Sequence, residues 1–161
     1  MSEINSLFKD VMARFPTGVT VITTIFEKKK FGLTANSFTS VSLEPPLILF
    51  CISKSSGSYE AFMQTTDFAV NLLTKDQAEA AKHFASKILD KFENIDYSIS
   101  KQNNILLNNS LGYLELKKHA THEAGDHSII VGEVITGKID KNIEPLQYLD
   151  RKFSSATKLH F

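Results

Sequence analysis

The apolar residues of this chain come in short runs. Val19–Ile25, Leu47–Ile52, Phe68–Leu73, Leu111–Lys118 and Ser128–Gly137 are dense in Val, Ile, Leu, Phe or Tyr, with polar residues, glycine or proline between them. Runs of this length suit strands that cross a core and are too short for buried helices. Leu111–Lys118 and Ser128–Gly137 are expected to be neighbouring antiparallel strands, joined by a polar loop that carries His119, His122 and Asp126. Glu27-Lys28-Lys29-Lys30 separates Val19–Ile25 from Phe31-Gly32-Leu33-Thr34 and predicts a hairpin with a solvated tip.

Helical signals are fewer. Leu7, Val11 and Phe15 recur at helical spacing and Pro16 follows where such a helix should stop. Ser55–Thr65 predicts a short helix after the strand ending near Ile52. Thr74-Lys75-Asp76-Gln77 has the spacing of a capping box, and the alanines that follow extend a helix to about Ala85. Strands outnumber helices, nothing repeats and no linker divides the sequence. The expectation is one domain over residues 1–161, mainly β: an antiparallel β-barrel decorated with short helices.

Several function classes fall away. Lys plus Arg and Asp plus Glu both number 18, so no net field draws the chain to nucleic acid or to an anionic membrane. No apolar run approaches the ~18 residues that suggest a membrane span, and residues 1–5 do not resemble a secretory signal. Cys51 is alone, has no internal disulfide partner and sits in an apolar run, so it reads as a small buried hydrophobe in a reducing, cytoplasmic setting. No two glycines stand two positions apart, which removes the dinucleotide-binding GxGxxG; no P-loop, GxSxG elbow or CxxC exists either.

What remains is Gly32-Leu33-Thr34-Ala35-Asn36-Ser37-Phe38-Thr39-Ser40-Val41-Ser42-Leu43-Glu44-Pro45-Pro46, small hydroxyl and amide residues between two apolar strands. By composition it is either an ordinary Ser/Thr-rich strand and turn or a surface that a flat ligand can approach closely. In the second case hydroxyls and main-chain amides would meet ring heteroatoms and phosphate oxygens.

The ordered set Phe15-Pro16-Thr17-Gly18-Val19-Thr20-Val21-Ile22-Thr23-Thr24, Thr34–Ser40, Pro45-Pro46, Phe68–Leu73, His83-Phe84-Ala85, Gly125-Asp126-His127 and Val131-Gly132-Glu133-Val134 resembles the flavin reductase-like proteins, over about residues 8 to 153. The resemblance implies a Greek-key split β-barrel that binds FMN and takes electrons from NADH or NADPH. It also implies a homodimer with the flavin near the subunit interface and, for reductase components, a separate flavin-dependent monooxygenase that consumes reduced flavin. By motif position it places the isoalloxazine against Thr34, Ala35, Asn36 and Ser37. Ser40, Val41, Ser42, Ser53 and Ser56 would line the ribityl and phosphate end, with Phe84 and Ala85 flanking the cofactor. Two departures stand out. A lysine triplet occupies the hairpin tip where Asp-Gly is usual, and Tyr148–Phe153 lacks a glycine often present near the nicotinamide, which leaves the choice of NADH or NADPH open.

His119, His122, Glu123, Asp126 and His127 lie within nine positions, a density that can ligate zinc or iron, although polar loops are more often simply solvated. No metal ligand is assigned. His127 has two readings, a catalytic group facing flavin and nicotinamide or a half-buried strand histidine bonded to Asp126. The expected chemistry is hydride transfer from nicotinamide to flavin. An FMN-binding electron carrier and a metal-dependent enzyme built on residues 119–127 are the alternatives. His83 reads as a surface helix residue; His160 carries no signal.

Overall fold

A computed structural model describes residues 2–88, 90–139 and 142–155; His160 lies outside them. In chain order the elements are α1 Glu3–Ala13, β1 Thr17–Gly18, β2 Thr20–Phe26, β3 Lys29–Ala35, β4 Thr39–Leu43, β5 Pro46–Ser53, α2 Tyr59–Gln64 and β6 Asp67–Leu72. A 3-10 turn at Lys75–Gln77 leads into α3 Ala78–Ala85, followed by β7 Tyr97–Ile99, β8 Ile105–Leu107, β9 Gly112–Ala124, β10 His127–Ile139, β11 Leu146–Leu149 and β12 Lys152–Ser155. The fold is mainly β and antiparallel, as its run lengths predict.

Seven strands form one sheet in the order β3-β2-β6-β9-β10-β5-β4. β2, one strand in from the β3 edge, is a β-branched run buried on both faces, whose side chains alternate between two cores. Ile22 points into a cluster with Leu33, Phe50, Ile52, Phe62, Phe68, Val70, Leu116 and Ile130. Val19 and Val21 point the other way, to Leu73, Ala81, Phe84, Phe92, Ile105, Leu107 and Leu146. In the first cluster Phe50, Phe62 and Phe68 meet edge-on with centroids 5.5 to 6.4 Å apart, the geometry favoured by aromatic quadrupoles. Hydroxyls on β2 are satisfied internally: Thr20 donates to the Ala35 carbonyl at 2.7 Å, and Thr23 to that of Ile105 at 2.6 Å.

The sheet's edges are β3 and β4, joined directly by residues 36–38. There the Ser37 hydroxyl accepts from the Cys51 N–H at 3.0 Å and approaches its carbonyl at 3.2 Å, linking the end of β3 to β5. The β2–β3 turn puts Glu27 and Lys28 at φ of 48° and 63°, both central positions of a tight hairpin with positive φ, which glycine or asparagine would adopt more cheaply.

Three expectations need correction. No polar loop spans residues 119–126: β9 and β10 run to a tight turn at Gly125-Asp126, so His119 and His122 are exposed strand residues, with His122 opposite Ile129. Their polarity reflects a hairpin projecting past the core rather than a loop. Cys51 is only partly buried, because it faces a cleft at the end of β5. The first helix begins earlier and ends before Phe15. Ser2 caps it, and none of its residues is buried. It is tied to the β11–β12 turn by the Asp150 N–H donating to the Ala13 carbonyl at 2.8 Å, and by Arg14–Asp150 and Arg151–Asp10 pairs at 2.9 and 2.7 Å.

Candidate functional site

A cleft of about 720 Å³ opens between β3, the Ser53–Ser58 connection and the C-terminal end of α3. Alternation along β3 decides what faces it. Leu33 and Ala35 enter the first core with Phe31 packed beside them, so Lys30, Gly32 and Thr34 are left on the α3 side. The Thr34 hydroxyl donates to the Ala81 carbonyl at 2.6 Å. At Gly32 an added Cβ would lie 2.7 Å from the Phe84 ring, so glycine is what allows that ring to approach the strand so closely. Across the cleft, the Ser58 hydroxyl donates to the Gly32 carbonyl at 3.1 Å, and the Ser53 and Ser55 hydroxyls are 2.9 Å apart.

Of the residues picked from the sequence, Thr34, Ala35, Asn36, Ser37, Ser53, Ser56, Phe84, Ala85 and His127 all line this one cleft, although they come from four separate stretches of chain. Ser40, Val41 and Ser42 do not. They lie on edge strand β4, where a register shift between Ser40 and Ser42 makes Val41 a bulge, half exposed to solvent. Thr34 and Ser37 spend their hydroxyls on main-chain groups, so at those positions the backbone is what a ligand would meet.

His127 pairs with Ser53 across the β5–β10 ladder, and its Nδ1 is 2.7 Å from Asp126 Oδ1. The two readings of this residue are therefore compatible, since it is bonded to Asp126 and lines the cleft. A carboxylate can only accept, so Nδ1 carries the hydrogen and Nε2 is the nitrogen offered to a ligand. That hydrogen bond, and then the imidazole's charge, hold the Asp126 carboxyl below the usual aspartate range. Next to this pair, Glu123 accepts from Lys54 at 2.5 Å and from the buried Ser128 hydroxyl at 3.0 Å, and Ser128 meets the Tyr59 hydroxyl at 2.9 Å. This network fastens the β9–β10 turn to the cleft wall. Among the described residues no group of His, Cys, Asp and Glu is arranged to hold a metal ion.

Sequence reasoning missed three lysines. Lys30, Lys87 and Lys91 line the cleft, and among the described residues no aspartate or glutamate does. Lys91 donates to the Phe84 carbonyl at 2.7 Å, and burial holds its ammonium below the usual lysine range. A second cleft of about 770 Å³ lies on the other flank of α3 with the opposite character: Asp76, Glu79, Glu93 and Asp96 line it, with no lysine or arginine among the described residues. His83 belongs there, with Nε2 3.1 Å from the Lys91 carbonyl, and does not reach the first cleft.

The sequence matches the family model for the flavin reductase like domain over residues 12–157. It is 39% identical over 127 residues to the reductase subunit HsaB of a flavin-dependent monooxygenase from Mycobacterium tuberculosis, covering 79% of this chain and 68% of that protein. It is also 39% identical over 128 residues to the FMN reductase (NADH) SmoA of Agrobacterium fabrum, covering 80% and 73%. Among solved structures it is similar to the Streptomyces globisporus NADH:FAD oxidoreductase SgcE6 in complex with NAD and FAD fragments, at 36% identity and a TM-score of 0.91, covering 95% of this chain and 93% of that one.

Proposed function

This chain belongs to the flavin reductase-like domain family, and from that premise we propose that it is an NADH-dependent flavin reductase that supplies reduced flavin to a separate monooxygenase. The observation that carries this reading is the cleft itself. Strand main chain at 34–37, seryl hydroxyls at Ser53 and Ser56 and three lysines converge there, without one carboxylate among the described residues. Such a surface suits a flat heterocycle with an anionic tail.

We assign FMN as the flavin, held by Thr34, Ala35, Asn36, Ser37, Ser53, Ser56, Phe84 and Ala85. When bound, flavin accepts the hydride that the nicotinamide donates; the protein's task is to hold the two rings in contact. Residues 34–37 offer main-chain donors and acceptors on a rigid edge, because Thr34 is fastened to α3 and Ser37 to β5. Phe84, fully buried against Gly32, closes the apolar side. His127 is the catalytic group of this reading: with Nδ1 anchored on Asp126, its Nε2 orients the nicotinamide or exchanges a proton at the cleft. Ser40, Val41 and Ser42 would reach the flavin only from β4, outside the cleft wall.

The chain acts as a single domain and as a homodimer in this reading. Support comes from α1, whose Ile4, Leu7, Phe8 and Val11 are 57 to 66% exposed, and from Leu43 at 88%. An isolated helix of eleven residues is marginal in water, so an apolar face of this size calls for a covering surface. No helix among the described residues is long and apolar enough to cross a membrane. A cytoplasmic setting, where NADH is available, fits the lone thiol.

The test is steady-state NADH oxidation by the purified protein with and without added FMN. Oxidation that requires added flavin, with saturable dependence on both ligands, is the expected result. A protein that binds FMN but oxidises no NADH would be an electron carrier instead, and one that binds no flavin would overturn the reading.

A further inference from the structure

Lys30 is not an ordinary surface lysine. It stands on the exposed end of β3, yet its ammonium donates to the Tyr97 hydroxyl at 2.6 Å and lies 4.9 Å from the Tyr97 ring centre and 5.7 Å from that of Phe92. The support is itself braced: Phe92 packs edge-on against Tyr97 at 5.5 Å and against Phe84 at 5.2 Å. A long flexible side chain loses rotamer freedom when it is fixed. Here that loss has already occurred in the free protein, so a ligand meeting the ammonium does not incur it again.

Strand parity sets the direction. Lys30 shares the α3 face of β3 with Gly32 and Thr34, while Phe31 and Leu33 turn to the first core. Lys91 follows the same logic from the other side. Its chain neighbour Phe92 carries the ring beneath Lys30, and its own ammonium is drawn to the Phe84 carbonyl. With Lys87, the three cations gather where β3 begins and α3 ends. Thr34–Ser37 lie at the opposite end of the strand, and about six residues at ~3.3 Å each separate Lys30 from Asn36. An ammonium has three donors, and Tyr97 takes one from Lys30.

From this we infer that Lys30 is a specificity-determining contact for a phosphoryl group of a nucleotide bound in the cleft, and that Tyr97 is the positioning residue that holds it there. The inference rests on the cleft being the nucleotide site and adds which end takes the phosphate. The phosphoryl group can come from the flavin or from the nicotinamide dinucleotide, and the experiment separates them.

Lys30→Met keeps the stem and removes the charge. Direct titration compares riboflavin, FMN and FAD, and kinetics compares NADH with reduced nicotinamide mononucleotide. If the flavin supplies the phosphoryl group, the Kd of FMN rises about tenfold and that of riboflavin does not move. If the dinucleotide supplies it, the KM of NADH rises about tenfold and that of the mononucleotide by less. Tenfold is the low end for a hydrogen bond to a charged group. In either case Lys30→Arg restores most of the affinity and Tyr97→Phe gives a smaller rise in the same constant with kcat held. Raising salt from ~0.05 to ~0.5 M should weaken the wild type more than Lys30→Met. Constants within twofold of wild type for every ligand, or equal weakening of riboflavin and FMN, would overturn the inference. Wild-type protein that binds no flavin at all would instead sink the functional reading beneath it.

Discussion

The Ser37 hydroxyl sits on the main chain of Cys51, accepting from its N–H at 3.0 Å and lying 3.2 Å from its carbonyl. Thr39 pairs with Leu49 in the β4–β5 ladder, so Ser37 stands two residues along, opposite Cys51, where a side chain replaces the missing backbone partner. Ser37→Ala should therefore lower stability by about 1 kcal/mol and raise the Kd of FMN. Chemical denaturation alongside flavin titration measures both. A variant as stable as wild type would show that this seam holds nothing together.

Gly32→Ala tests the packing behind the cleft. The new Cβ would meet the Phe84 ring at 2.7 Å, and because Phe84 is buried in the second core it cannot swing away freely. A loss of about 1 to 3 kcal/mol is expected, with flavin binding reduced beyond what stability explains. Thermal melts with and without FMN would reveal it.

His127→Ala should slow NADH-dependent reduction by about tenfold or more while changing the Kd of FMN little, since in this reading the flavin is held by residues 34–37, Ser53, Ser56, Phe84 and Ala85. Asp126→Asn should act in the same direction but less, because the amide oxygen still accepts from Nδ1 but without the carboxylate's charge. Turnover unchanged in His127→Ala would remove it from the reaction.

Acid should loosen the β9–β10 turn. The Lys54 hydrogen bond, then that of Ser128, hold the Glu123 carboxyl below its ordinary value of 4.5. A carboxylate depressed in the folded state stabilises it above the unfolded value, and that contribution is lost as pH falls through the folded one. Relative to the intrinsic exchange rate at each pH, protection of the amides around Ser128 should fall below about pH 4.5 in the wild type and be lower, with little acid dependence, in Glu123→Gln. Matching pH profiles for the two proteins would rule the network out as the cause.

If α1 is covered by a second copy, Leu7→Asp with Val11→Asp should yield a monomer by light scattering without unfolding the sheet, because neither residue contributes to either core. A wild-type monomer at micromolar concentration would remove the dimer from the functional reading.

Much of this was readable in the residues. The strands at 19–25, 47–52 and 68–73 are apolar because both their faces or one whole face are buried, which leaves a strong signal. The capping box is met in part by the Gln77 side chain accepting from the Thr74 N–H at 3.1 Å. The cleft residues at 34–37, 53, 56, 84 and 85 were reached through an ordered motif, not through periodicity. What escaped has physical reasons. β9 and β10 extend past the core, where neither face is apolar and alternation disappears. β7 and β8 are three-residue strands that owe their place to long-range bonds, among them Asn71 Oδ1 accepting from the Leu107 N–H at 2.8 Å. The cleft lysines look solvated in one dimension, since only the fold brings Lys30 beneath the reach of Tyr97.

The two clefts flanking α3 also bear on how the molecule behaves in a field. With equal numbers of acidic and basic side chains it is neutral overall, but one flank of a single short helix is lined with lysines and the other with carboxylates. Zero monopole thus conceals a dipole: the chain should focus near neutrality and still be retained at low ionic strength by both anion- and cation-exchange resins. An anionic nucleotide would be turned toward the correct side of α3 before it makes any contact.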